Sequence, residues 1–183
     1  VRLLVFVLAA LSCCGIGCSR GATSVPRTAF LPSDAPLFDH SVDFVEDPVI
    51  VEGWRGEFAR RVDRADLVAA ARVMSSVAEV VKRSSALRIT VRVDERFKGD
   101  SGRDIELRVD DDQPSYSTVE DAEQRILRDP WVVFIKWQTV DGLPDPVPRW
   151  HLSPDTPEVR AKIDYLLSAP PPDPNTEVEV IEP

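Results

Sequence analysis

The chain has 183 residues, 43% of them apolar, with 22 basic and 31 acidic side chains and a net charge of −9. That balance argues against nucleic acid and anionic lipid head groups as partners, since both would be repelled. The length supports one compact domain of about 120 residues, and with every cysteine before residue 19 the rest of the chain has no disulfide, thiol nucleophile or thiolate metal site.

Residues 1–18, VRLLVFVLAALSCCGIGC, place Arg2 before an apolar run from Leu3 to Leu11, then small residues among the cysteines. A basic start, about ten apolar residues and a small-residue zone form the pattern of an export signal, too short to span a bilayer. Leu11-Ser12-Cys13-Cys14 resembles the bacterial lipobox, although Cys13 stands where Gly or Ala is usual. The resemblance implies lipid on Cys14, with Cys18 after Gly15-Ile16-Gly17 as the alternative, and no other cofactor. Acyl chains would then hold the protein on a membrane. Gly15 or Ser19, rather than Asp, follows the candidate cysteine, which favours the outer over the inner membrane.

Residues 19–48 hold Pro26, Pro32, Pro36 and Pro48 among polar residues and read as a flexible tether that includes His40. The domain is expected over 49–168. Within it, Phe58 to Val81 is ambiguous: propensity favours helix over Asp66 to Met74, with Val73, Val77 and Val80 or Val81 on a helical stripe, yet Leu67, Ala69, Ala71 and Val73 alternate, and a strand over 66–81 is the reading taken. Leu87, Ile89, Val91, Val93 and Phe97 alternate with Arg88, Thr90, Arg92, Asp94 and Arg96 in the two-residue period of a strand. Lys98-Gly99-Asp100-Ser101-Gly102 supplies a turn, and Ile105, Leu107 and Val109 return as a second strand whose acidic outer residues can pair with those arginines.

Ser117 or Thr118 starts a helix with Val119, Ala122, Ile126 and Leu127 on one stripe. Trp131 to Val140 is a buried strand with Trp131, Val133, Ile135 and Trp137 on one side, and Arg149-Trp150-His151-Leu152 is its short return strand. Asp155 or Thr156 caps a last helix with Pro157 at its first position and Val159, Ile163, Leu166 and Leu167 inward. Residues 169–183 are a Pro-rich acidic tail ending in Glu177-Val178-Glu179-Val180-Ile181-Glu182-Pro183, either a solvated end or a docking strand.

These elements predict a mainly β protein with helices (α+β): a small antiparallel OB-like barrel in β-β-β-α-β-β order plus a C-terminal helix. Ala65-Asp66-Leu67-Val68, Arg72-Val73, Val91 to Gly99 and Ile105 to Val109 resemble a pattern in uncharacterised bacterial exported proteins, which are similar in turn to the netrin and TIMP-like OB barrels. The resemblance covers about residues 65–140. The eukaryotic relatives use disulfides and a cysteine that can coordinate a protease metal, and with no cysteine here their inhibitory mechanism does not carry over.

Candidate chemistry is sparse. Gly99-Asp100-Ser101-Gly102 looks like the nucleophile segment of chymotrypsin-like proteases, but a tight turn explains it and no matching triad is spaced around it. Asp110-Asp111-Asp112 with Asp121 could gather a hard cation, against the plainer reading of solvated carboxylates; no metal site is assigned. His151 is a general-base candidate in an alternative reading as an envelope hydrolase with loop carboxylates. The reading taken is a non-catalytic, lipid-anchored envelope protein that binds a partner protein or complex, and a structural spacer is a further alternative. Trp54 and Trp150, each flanked by Arg, and the stripe of Arg88, Arg92 and Arg96 are the candidate partner-binding residues.

Overall fold

The computed structural model describes residues 28–44, 52–81, 84–113 and 115–168, without the side chains of residues 52–55 and 81. The expected signal, Cys14, Cys18 and the tail 169–183 lie outside the described residues. In chain order the elements are β1 (Ser41–Val42), α1 (Glu52–Arg64), β2 (Leu67–Val81), β3 (Ser84–Lys98), β4 (Asp104–Asp110), α2 (Ser115–Asp121), α3 (Glu123–Arg128), β5 (Pro130–Gln138), β6 (Val147–Pro154) and α4 (Pro157–Ser168). The protein is α+β, a six-stranded curled sheet with helices packed on it. Strand order is β1-β6-β5-β2-β3-β4, antiparallel throughout except for the parallel β1–β6 pair.

Alternating side chains split the apolar residues into two cores. Inside the curl lie Leu67, Ala69, Ala71 and Val73 of β2, Leu87, Ile89, Val91 and Val93 of β3, Leu107 and Val109 of β4, Trp131, Val133 and Ile135 of β5, and Trp150 of β6. Val119 and Ile126 of the short α2–α3 pair cover this core. On the other face, Val68, Val132 and Phe134 pack against Phe58 and Val62 of α1 and Val159 and Ile163 of α4. The fully apolar Trp131–Ile135 run follows from this, because β5 is buried on both faces.

The strand taken over 66–81 is present as β2, Leu67–Val81, preceded by α1 through Arg64, so the helical propensity of Asp66 to Met74 is overridden by pairing in the sheet. Two expectations are corrected. The segment 28–44, read as tether, is packed: Leu37, Phe38 and Val42 are buried. Asp34, itself buried, receives two hydrogen bonds from Arg64, at 2.8 and 2.9 Å, which hold its carboxyl below the usual range and fasten the segment to α1. The helix expected from Ser117 starts at Ser115 and breaks at Ala122, while Leu127 and Leu167 face solvent. The last helix begins as expected, with Thr156 Oγ1 accepting from Val159 N at 3.2 Å.

Buried polar groups fix where the layers meet. Asp66 Oδ1 is 3.0 Å from Lys136 Nζ, both side chains essentially inaccessible, while Oδ2 accepts from Trp137 N at 2.9 Å and Thr28 Oγ1 donates to Oδ1 at 3.1 Å. Lys98 Nζ donates to the carbonyls of Val62 and Asp63 at the end of α1. Gly99 has φ +77°, and a Cβ there would lie 1.9 Å from the Asp66 carbonyl oxygen. Gly99→Ala is therefore expected to cost about 3 kcal/mol or more, read as a lower urea midpoint. An unchanged midpoint would refute the close approach. Lys136→Met, which leaves the Asp66 carboxylate buried and unpaired, is expected to cost about 3–5 kcal/mol, partly recovered in Asp66→Asn/Lys136→Met. Equal stability of the two variants would show that the pair is not coupled.

Candidate functional site

The curl brings β4 at one end of the sheet toward β6 near the other, and the two do not pair. Asp111 N donates to Ser85 O and Val93 N to Arg103 O, so odd-numbered residues of β4 face β3 and the backbone of Glu106, Arg108 and Asp110 faces away from it. On β6, Trp150 O accepts from His40 N and Leu152 O from Asp43 N, so even-numbered residues point to the outer edge. By that alternation Pro148 stands on the same edge with no N–H to give. One bond crosses the seam: Trp150 Nε1 donates to Arg108 O at 3.0 Å.

Beside that bond lies an open groove of about 520 Å³, lined by Arg88, Glu106, Arg108, Val147, Pro148 and Arg149, among others. Arg88 is 2.8 Å from Glu79 and 3.5 Å from Glu106, and Arg108 is 2.8 Å from Asp110 and 3.5 Å from Glu79. These carboxylates are thus already engaged. Arg149 differs: its guanidinium lies 5.9 Å from the Phe30 ring centre and its Nε is buried with no hydrogen-bond partner among the described residues. His40 forms one wall. It stacks on Trp150 at 5.6 Å, 3° from parallel, takes up φ +63° to do so, and sets Nδ1 2.6 Å from Gln113 Oε1.

The candidate residues do not converge. Trp150 is fully buried rather than an exposed contact, since its ring fills the curl and its indole N–H spans the seam. Trp54 lies on α1, with its side chain outside those described. Of the arginine stripe, Arg88 reaches the groove; Arg92 pairs with Asp104 at 2.8 Å, and Arg96 bonds Ser101 O at 2.8 Å. Among the described residues no group of three or more His, Cys, Asp or Glu is placed to hold a metal ion. Asp110 faces Arg108, and Asp111 accepts from Ser85 N at 2.6 Å.

His151 sits on the opposite face of β6 from Trp150, in a cluster the sequence reading missed. Its Nδ1 is 2.9 Å from Ser41 Oγ and 3.5 Å from Asp39 Oδ1, and Ser41 Oγ bonds the same Asp39 oxygen at 2.5 Å. A hydrolytic relay needs the nucleophile on one ring nitrogen and the carboxylate on the other. Here both crowd Nδ1, while Nε2 is buried without a partner. The signal for this cluster was the alternation of Phe38, His40, Val42 and Phe44 with Asp39, Ser41 and Asp43, hidden by neighbouring prolines.

Comparison with protein-family models, with curated proteins and with solved structures finds no match to this chain.

Both histidines are held below their ordinary pKa, first by burial. His40 also faces Arg149, opposed by Gln113, Asp39 and Asp110; His151 faces Arg61, opposed by Asp39 and Asp43. Asp39 is lowered to about 2, its burial outweighed by hydrogen bonds from His151 and Ser41 and by the His151 charge. Because the unfolded histidines take up protons first, near pH 6.5, the folded state loses stability as pH falls below that value. The Asp39 contribution, present above about pH 4, is lost as pH falls toward 2. Urea unfolding at pH 7.5 and 5.5 should show lower stability at 5.5, and His40→Gln/His151→Gln should flatten the difference. A dependence unchanged in that variant would assign it to other groups.

Proposed function

We propose that this protein is an exported, lipid-anchored component of the bacterial cell envelope. In this reading an OB-like domain acts without catalysis and binds an extended segment of an envelope partner protein in the seam between β4 and β6. The observation that carries the binding reading is the seam itself, in which the unpaired outer edge of β4 faces the Val147–Arg149 end of β6, short of its pairing with β1, across an arginine-lined groove. An exposed strand edge offers main-chain hydrogen bonds to an added strand, and side-chain pockets alongside supply selectivity. The crowding of Ser41 and Asp39 on one nitrogen of His151 favours binding over hydrolysis.

The OB-like reading is supported by the order β6-β5-β2-β3-β4. Numbering those five strands 5-4-1-2-3 gives the succession around an OB barrel, with α2–α3 in the expected place between the third and fourth. The resemblance to netrin and TIMP-like barrels agrees with that order. Lipid on Cys14, or alternatively Cys18, would hold the domain at a membrane, the outer one being favoured, where a modest interface suffices because the partner shares the same surface.

A photo-crosslinking residue placed at Glu106, in the groove, is expected to capture one envelope protein repeatedly in cells. The same residue at Tyr165, exposed on α4, is expected to capture none. Capture should fall at least tenfold in Cys14→Ala/Cys18→Ala and in Arg149→Glu. Equal capture from both positions, or none from Glu106, would remove the seam as the binding site.

A further inference from the structure

We propose that Asp39–Phe44 is an acid-released latch, hinged at Phe38, which closes over the edge of β6 at neutral pH and lifts from it in acid. Opening bares that edge at Trp150 and Leu152, continuous with the Val147–Arg149 lip of the groove. The latch stands on the contacts of the segment 28–44 and holds whether or not the seam takes a strand.

That segment is held in two unlike ways. Up to Phe38 the hold does not titrate in mild acid: Asp34 is paired with Arg64, Arg61 Nε donates to Leu37 O at 2.8 Å, and Leu37 and Phe38 are buried. Beyond Phe38, His40 N donates to Trp150 O at 2.9 Å and Asp43 N to Leu152 O at 2.8 Å, on either side of the two residues of β1. A histidine seals each face of this short pairing. His40 stacks on Trp150 on one side, and His151 Nδ1 meets Ser41 Oγ and Asp39 on the other. His40 also keeps φ +63°, a conformation costly for a residue with a side chain, and release relieves it. Val42, in the inner core, and Phe44, edge-on to Trp131 and beneath the Arg125 guanidinium, oppose release and keep the latch shut at neutral pH.

Both rings sit where a second proton is unwelcome. Nε2 of each is buried without a hydrogen-bond partner among the described residues, so an N–H there would have nothing to donate to. Around His40, Arg149 of β6 repels an added charge, Asp39 and Asp110 attract it, and Gln113 accepts from Nδ1. Glu79, Arg88, Glu106 and Arg108 line the same groove and pair with one another. Around His151, Arg61 of α1 repels the charge, while Asp39 and Asp43 attract it, and burial outweighs the attraction at both rings. Lifting the latch carries His40 into water and strips the Asp39–Ser41 cover from His151, so the open form takes up protons near pH 6.5 and the closed form only below that. Asp39, held near pKa 2 when closed, is ionised in both forms over this range and adds nothing to the difference. Between pH 7.5 and 5.5 each histidine shifts the balance toward the open form by up to roughly tenfold.

Amide hydrogen exchange on the full chain, expressed as protection relative to the free-amide rate at each pH, tests this. Protection of the His40 and Asp43 amides is expected to fall at least tenfold from pH 7.5 to 5.5. At pH 5.5 it should lie at least tenfold below that of Asp66, whose amide bonds Ile135 O within the sheet. Urea too dilute to unfold the domain should leave it unchanged, because a local opening exposes little surface. In His40→Gln/His151→Gln, Asp43 protection should be nearly the same at the two pH values. Wild-type protection of His40 and Asp43 that does not change with pH would overturn the latch. Protection that matches Asp66 and falls with urea would also overturn it, since those amides would then exchange only when the whole domain opens. A fall at Asp43 as large in the double variant as in wild type would remove the histidines from the device and overturn it as well.

Discussion

The buried Asp66 carboxylate is the constraint on which the rest of the structure depends. It sits where α1 ends and β2 begins, and its backbone N–H donates to Ile135 O at 2.8 Å while its side chain meets Lys136 and Trp137 on the same strand. One residue thereby sets the register of β2 on β5. Its carbonyl oxygen lies so close to Gly99 that any Cβ there would collide with it, which sets the end of β3 as well. Two charges removed from water gain little net stability from each other, but neither tolerates loss of its partner. The pair therefore selects one arrangement of helix and strands against shifted ones.

From that junction the two cores follow. Helix α1, stopped at Arg64, lies on the outer face with Phe58 and Val62 inward, and Lys98 reaches from β3 to its last carbonyls. Arg61 and Arg64 on the same helix then hold the preceding segment, one donating to Leu37 O at 2.8 Å and the other to Asp34. That anchors β1 alongside β6. His40 and Ser41 project to opposite faces, so β1 and the residue before it supply a wall of the seam through His40 and complete the His151 cluster through Ser41.

Much of the sheet was legible because its signal is local. Strands β3 to β5 carry strong alternation or an unbroken apolar run, and their inner and outer faces could be assigned from it, whereas β6 was placed only as a short return strand. The motif Ala65-Asp66 with Lys98-Gly99 was visible as a pattern, but its cause is tertiary: the Asp66 backbone carbonyl and a glycine more than thirty positions on come together only once the sheet has formed. The segment 28–44 was misread for the complementary reason. Prolines and acidic residues usually mark solvated chain, and here Asp34 is buried because Arg64 neutralises it, a partnership that no window of sequence contains. The site was least legible. Trp150 looks like a contact residue beside Arg149 and His151, yet alternation turns it inward and leaves Arg149 as the groove donor.

The seam is open for a reason that can be named. Closing a curled sheet into a barrel requires each end strand to present matching donors and acceptors to the other. Strand β6 presents Pro148 at that place, and Trp150 uses its indole rather than its backbone to reach Arg108 O. Proline on an edge is a common protection against unwanted pairing, but it protects β6 alone. Strand β4 keeps its outward N–H groups, so the opening is asymmetric: one lip can donate a ladder and the other mainly accepts. In the proposed reading, a strand entering such a gap would gain its bonds chiefly from β4 and its selectivity from Arg88, Arg108 and Arg149. The feature that keeps the curled sheet from closing is therefore also the one on which the proposed strand-binding role depends.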